Sequence, residues 1–227
     1  MRGGQGLGYL RHVAHRIVGG DYTYQVLRNS HEYYDGHIPL VRLDAQSLPF
    51  REDTFDTIIL FEAIYYLFSA ESFFRESARI LKPGGKIIIN TVNKEWEGFS
   101  PSPHSIRYFS AKELLDVMRP YFQSVEIFGG FSSSPRTTIQ RMIASVRRVA
   151  VHLKLFPQTL KGREWLKRMF YGSLTPLPKE IFDGMAEVEP LTRLNGGDPV
   201  HGYKVLYAIG CLRQAANEFV QSYGRVK

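Results

Sequence analysis

A chain of 227 residues that is 44% hydrophobic and 22% charged can bury a sizeable core, which excludes intrinsic disorder and suits one domain with an insertion. Its one cysteine, Cys211, excludes an internal disulfide and fits a reducing, cytoplasmic setting. The net charge of +7 sits late: residues 1–132 hold 14 Lys/Arg against 15 Asp/Glu, residues 133–200 hold 11 against 6, and residues 201–227 hold 4 against 1.

In chain order, the sequence predicts short apolar strands alternating with helices. Gly3-Gly4-Gln5-Gly6-Leu7-Gly8 precedes a helical pattern over Tyr9–His15. A strand over Arg16–Gly20 leads to Asp21, then come a helix over Tyr24–Asn29 and a strand over Leu40–Leu43. Phe55–Phe61 reads as a strand, Glu71–Leu81 as a helix and Lys86–Thr91 as a strand rich in isoleucine. Ser110 with Glu113 three residues on forms a capping box ahead of a helix over Ala111–Met118, and Ser124–Phe128 reads as the next strand. Such alternation implies βαβ units and an α/β, Rossmann-like, doubly wound, mostly parallel sheet with helices on both faces. The first domain segment is residues 1–131.

Over 132–200 the alternation stops, and a basic helical insertion or lid is expected. Ile139, Met142, Ile143, Val146, Val149, Ala150 and Leu153 form one apolar stripe, and a second helix is predicted over Gly162–Tyr171. Pro176 and Pro178 mark a connector, and a Gly-rich turn over Asn195–Pro199 leads to a strand over Tyr203–Leu212. That strand and a C-terminal helix, residues 201–227, return to the first domain. No apolar run approaches the roughly 18 residues of a membrane helix.

The chemistry lies at strand ends, where such sheets bind nucleotides. The glycines Gly4 and Gly6 allow close backbone approach and offer N–H groups to a carboxylate at a helix start. Asp21, one helix later, can accept both hydroxyls of a ribose. Plain alternatives exist for each: a floppy terminus for the glycines, a turn carboxylate for Asp21.

Two further stretches carry a resemblance. Leu43-Asp44-Ala45-Gln46-Ser47-Leu48-Pro49-Phe50 is followed by Phe55-Asp56, and Leu81-Lys82-Pro83-Gly84-Gly85 turns a helix into a strand. In this order they resemble class I S-adenosylmethionine-dependent methyltransferases, in the small-molecule subgroup with "type 11" domains. The resemblance covers about residues 3–130 and Tyr203–Leu212, the latter as the family's extra antiparallel strand. It implies S-adenosylmethionine as cofactor, with Asp44 on the adenine amino group, the Ala45 backbone N–H on the ring, and Leu48 with Pro49 and Phe50 walling the base. Phe61 and Glu62 would lie beside the methionine part, where a sulfonium favours carboxylates and aromatic faces. Tyr65, Tyr66 and Tyr108 are assigned to an acceptor pocket. His104 is the candidate base for an oxygen acceptor, since imidazole ordinarily titrates near neutral pH. No metal is implied.

The chain also departs from the family. The family has a strand before the glycine loop, whereas here the chain begins inside that loop. The expectation is a gap between the strands ending at Asp21 and Phe61, with a natural start upstream or another segment or partner chain filling it. The Asn-Pro-Pro-aromatic motif of amino-group methyltransferases is replaced by Phe61-Glu62-Ala63-Ile64. The acceptor is expected to be a small molecule, a sugar or a lipid-linked compound. Residues 135–170 hold nine Lys/Arg and one acidic residue. That suits a lid, contact with an anionic membrane face or, ranked last, RNA. A catalytically inactive methyltransferase-like scaffold is the alternative reading.

Overall fold

The computed structural model describes residues 6–132, 181–185 and 188–214. The predicted helices at Ile139–Leu153 and Gly162–Tyr171, the connector at Pro176 and Pro178, the C-terminal helix and Gly4 lie outside those residues. Among the described residues no helix is long and apolar enough to cross a membrane, and no His/Cys/Asp/Glu group is arranged to hold a metal.

The described elements are α1 (Leu7–Val13), β1 (Gly19–Asp21), α2 (Tyr24–Tyr33), β2 (Leu40–Arg42) and β3 (Phe55–Phe61). A 3₁₀ turn (Ile64–Tyr66) leads to α3 (Ala70–Ile80) and β4 (Leu81–Val92). Then follow α4 (Ala111–Met118), β5 (Ser124–Ser132), β6 (Thr192–Leu194) and β7 (Tyr203–Cys211). β3 and α4 match the sequence reading to the residue. The capping box is formed, with the Ser110 side chain on the Glu113 amide and the Glu113 carboxylate on the Ser110 amide.

Five strands form one sheet in the order β3-β4-β7-β5-β6. β3 pairs parallel with β4, while β7 runs antiparallel to both β4 and β5, so β3, β4 and β5 point one way. α3 and α4 pack on each other and on this sheet. Phe73, Phe74, Leu114 and Met118 meet Ile87, Ile89, Leu206 and Ala208 in one core. β1 and β2 form a separate parallel pair, Gly19 opposite Leu40 and Asp21 opposite Arg42. Among the described residues β3 has a strand partner only in β4.

Most elements differ from the sequence reading at their ends, α1, α2 and β4 among them, and three differences have a clear cause in packing or pairing. β1 is Gly19–Asp21 rather than Arg16–Gly20, because it pairs only with β2, whose first residue, Leu40, faces Gly19. β6 falls inside the span expected to be a helical insertion. It pairs Leu194 with Ile127 and Thr192 with Gly129, so that the last part of 132–200 belongs to the sheet. β5 runs on to Ser132 because Gly129 and Gly130 leave room for the Tyr203 and Tyr207 rings, which a Cβ there would strike at 2.4 and 2.8 Å.

The turn into β4 is read correctly. Lys82–Gly85 loop out of the ladder between Phe55↔Leu81 and Thr57↔Lys86. Gly84 has φ +76°, and a Cβ on Gly85 would lie 2.7 Å from the Lys82 carbonyl oxygen.

Phe74 is fully buried, with ring contacts to Phe73, Tyr121 and Phe122 that join α3 to the segment after α4. Phe74→Ala is predicted to destabilise the fold by about 3–5 kcal/mol, seen as a lower denaturant midpoint at an unchanged slope. A midpoint shift worth less than about 1 kcal/mol would show that this aromatic seam does not hold α3 on the sheet.

Candidate functional site

Parallel strands end on the same side, so consecutive strands can present consecutive side chains to one ligand. Here three strand ends carry carboxylates, two on the β1–β2 pair and one on the five-stranded sheet. Asp21 closes β1, Asp44 follows β2 by two residues, and Glu62 follows β3 directly.

At the glycine segment, Gly6 is the N-cap of α1, and a Cβ added there would meet nothing within 4 Å. The Gly8 amide donates to the hydroxyl of buried Tyr34 at 3.1 Å, which ties α1 to the end of α2. Gly19 and Gly20 serve packing instead, since added Cβ atoms would meet Leu40 at 2.7 Å and Leu43 at 2.6 Å.

Asp21 is half-buried, and its Oδ1 accepts from the Thr23 amide at 2.7 Å. Asp44 Oδ1 accepts from the Gln46 amide at 2.9 Å, an Asx turn, and Gln46 Oε1 in turn accepts from the Ser69 amide at 2.7 Å. The following loop is clamped onto α3. Glu76 accepts the Leu48 amide at 3.0 Å, and Arg79 donates to the Leu48 and Phe50 carbonyls at 2.9 and 2.8 Å. Hydrogen bonding to Arg79 holds the Glu76 carboxyl below the usual carboxylate range. Ala45 packs against the core and Leu48 is half-buried, while the Phe50 ring sits edge-on to Phe55.

Glu62 adopts φ +52°, a left-handed backbone for a residue with a side chain. Its amide donates to the Asn90 carbonyl at 2.9 Å, and its Oε2 accepts the Tyr65 hydroxyl at 2.9 Å. Glu62 is exposed as a residue, yet its carboxyl sits against the buried Tyr65, and partial burial raises its pKa against the opposing Tyr65 hydrogen bond. Burial and the Glu62 charge both push the Tyr65 phenol upward.

The expected pocket tyrosines do meet. Tyr65 stacks on Tyr108 with centroids 4.8 Å apart and contacts Tyr66 edge-on at 4.6 Å. The Tyr108 hydroxyl accepts from the Ser102 amide at 3.2 Å and from Ser105 Oγ at 2.8 Å. The Ile106 amide donates to the Tyr65 carbonyl at 2.8 Å, which fixes the loop against the 3₁₀ turn. His104 sits exposed on that loop, its amide on Ser102 Oγ at 3.4 Å. Phe61 is 52% and Tyr66 47% exposed, so both open toward solvent.

Two residues of this cluster are absent from the sequence reading. Asn90 and Tyr207 lie opposite each other in the β4–β7 register and share a side-chain hydrogen bond. Burial, followed by the Glu62 charge, raises the Tyr207 phenol. The available signal was Asn90 itself, a polar residue closing the apolar run Ile87–Ile89.

A family model described as a methyltransferase domain matches residues 2–89. A protein of Mycolicibacterium smegmatis named probable S-adenosylmethionine-dependent methyltransferase is 26% identical over 121 residues, 51% of this chain and 46% of that protein. A malonyl-[acyl-carrier protein] O-methyltransferase of a Marinomonas species is 30% identical over 84 residues, 34% of this chain and 31% of that protein. The chain thus spans less than half the length of either relative. Among solved structures, a SAM-dependent methyltransferase of Thermotoga maritima has the same fold, with a TM-score of 0.53 at 16% identity over 86% of this chain and 72% of that one. The YcgJ protein of Bacillus subtilis gives 0.51 at 14% identity, over 88% and 83%. The matched stretch includes Asp21, Asp44 and Glu62, and over it the chain is similar to S-adenosylmethionine-dependent methyltransferases.

Proposed function

We propose that this protein binds S-adenosylmethionine across the ends of β1, β2 and β3 and transfers its methyl group to a small-molecule or lipid-linked acceptor. The single observation that carries the reading is that β1, β2 and β3 each lead to a carboxylate at or just past their ends. Their chemistry fits the cofactor: Asp21 suits the ribose diol, Asp44 the adenine amino group and Glu62 the cationic end. Ala45 offers its backbone N–H beside Asp44, and Leu48 supplies an apolar wall held in place by Arg79. The open space above Gly6 is where the backbone of this chain would meet a carboxylate.

When bound, the cofactor supplies a methyl group on a good leaving group, so the protein's task is to position the acceptor and keep water out. The stacked Tyr65 and Tyr108 form one wall of that space. Phe61, Tyr66, Phe68 and Ile106 are all exposed near the ends of β3 and the Tyr65 loop, which supports an apolar acceptor. In this reading His104 removes the proton of an oxygen acceptor. The basic stretch 135–170 supplies contact with an anionic membrane face, and the reducing setting suited to Cys211 is the cytoplasm.

One observation favours a second reading, a binding protein without catalysis: β3 has no described strand on its far side, so one wall of the cofactor site has only β4 behind it.

Calorimetric titration with S-adenosylhomocysteine separates the two. Binding is predicted, and Asp21→Ala and Asp44→Ala should each weaken it by about 10- to 100-fold. No heat of binding would remove the enzyme reading. His104→Ala should leave that binding unchanged. It should slow methyl transfer to hydroxyl-bearing acyl or isoprenoid acceptors by about 100-fold or more, and unchanged transfer across pH would remove His104 as the base. Sedimentation with anionic but not zwitterionic liposomes is expected, and equal recovery with both would exclude the electrostatic membrane contact.

A further inference from the structure

Among the described residues β1 and β2 pair only with each other, so no strand ladder joins them to the five-stranded sheet. α1 belongs to the β1–β2 unit. A Cβ on Gly19 of β1 would strike the Leu7 side chain of α1 at 2.9 Å, and the Gly8 amide donates to Tyr34 at the end of α2. On its β2 side this unit is tied to α3, because Glu76 and Arg79 clamp the Asp44–Phe50 loop. On its α1 side the tie is of another kind.

The limb of chain ahead of β6 supplies it. Tyr9 on α1 donates its hydroxyl to Asp183 Oδ1 at 3.0 Å, and the His12 ring meets the Phe182 ring with centroids 4.8 Å apart. Tyr9 and His12 lie three residues apart in the helix and so share one face, and two adjacent residues of the limb engage both. Further along the limb, Leu191 lies on the five-stranded sheet. Its Cδ2 and the Tyr207 ring both stand over Gly130, at 3.2 and 2.8 Å from where a Cβ would be. Tyr207 is the residue that bonds Asn90 and feels the Glu62 charge. β6 follows at once and pairs with β5.

The limb thus has one foot on α1 and the other beside the Glu62 cluster. The candidate site is divided in the same way, with Asp21 and Asp44 on the β1–β2 unit and Glu62 past the end of β3. A ligand that spans two units binds with full strength only when they are held at the right separation.

We propose that the limb carrying Phe182, Asp183 and Leu191 is a strap that sets the separation of the two halves of the site, with Tyr9, His12, Phe182 and Asp183 as its positioning residues. This rests on the reading of Asp21, Asp44 and Glu62 as one S-adenosylmethionine site. Adenosine needs only the half on the β1–β2 unit, whereas S-adenosylhomocysteine needs both halves. Loosening the strap therefore weakens the longer ligand and spares the shorter one. A purely structural defect would weaken the two alike.

The test is calorimetry on the full chain as wild type, Tyr9→Phe, Phe182→Ala and the double variant, with adenosine and S-adenosylhomocysteine as probes. The double variant is expected to bind S-adenosylhomocysteine about tenfold more weakly and adenosine as the wild type does. Equal losses for the two probes, or a loss for neither, overturn the strap. Hydrogen exchange without any nucleoside is the second measurement. In the double variant the α1 amides are expected to exchange faster and those of β4 at an unchanged rate. Unchanged exchange in α1, or equal acceleration in both, overturns the strap. Failure of both probes to bind the wild type overturns the cofactor-site reading instead, and exchange alone then decides whether the strap holds α1.

Discussion

The hydrogen bond from the Glu62 amide to the Asn90 carbonyl is the pivot of the molecule. It lies just past the β3–β4 ladder, whose last pair is Phe61 with Asn90, at the point where the backbone leaves the sheet. A parallel ladder aligns its strand ends, and this contact fixes where the alignment stops. Beyond it the chain turns through a left-handed residue into the 3₁₀ turn and α3. The Glu62 carboxyl, the Tyr65 ring and the N-terminus of α3 all take their positions from that turn. On the other side of Asn90, the register with Tyr207 brings β7 into the same cluster.

The rest of the site depends on how firmly loops are held to this frame. The Asp44–Phe50 loop has little regular structure, yet three of its backbone groups are bonded to Glu76 and Arg79 on α3. The loop after β4 is held in the same manner. Buried Asn93 donates to the Val200 and Tyr203 carbonyls and accepts the Glu95 amide, so the segment ahead of β7 and the loop carrying His104 share one anchor. Side chains that bond several backbone groups at once make irregular segments positionally definite. A candidate site built on loops can therefore still be precise.

Local signals were legible in the sequence, and non-local ones were not. Ser110 and Glu113 are three residues apart and cap α4 with their own atoms, so the helix start is written in four residues. The Lys82–Gly85 turn is likewise self-contained. β6 is different: Thr192–Leu194 has no alternation and becomes a strand only because β5 offers Ile127–Gly129 as an edge. The start of β1 depends in the same way on where β2 begins. Within the site, Asp21, Asp44 and Glu62 were legible because strand ends and their spacing are local. The partnership of Asn90 with Tyr207 spans more than a hundred residues and follows only from register.

The left-handed backbone at Glu62 sets backbone ease against the carboxylate at a single codon. A side chain there costs about 1–2 kcal/mol that glycine would not. Replacement by glycine would relax the turn and remove the carboxylate in the same step. A laboratory selection for heat tolerance alone would thus be drawn toward Gly at this position, and its winners would be sturdier proteins without the carboxylate that accepts the Tyr65 hydroxyl.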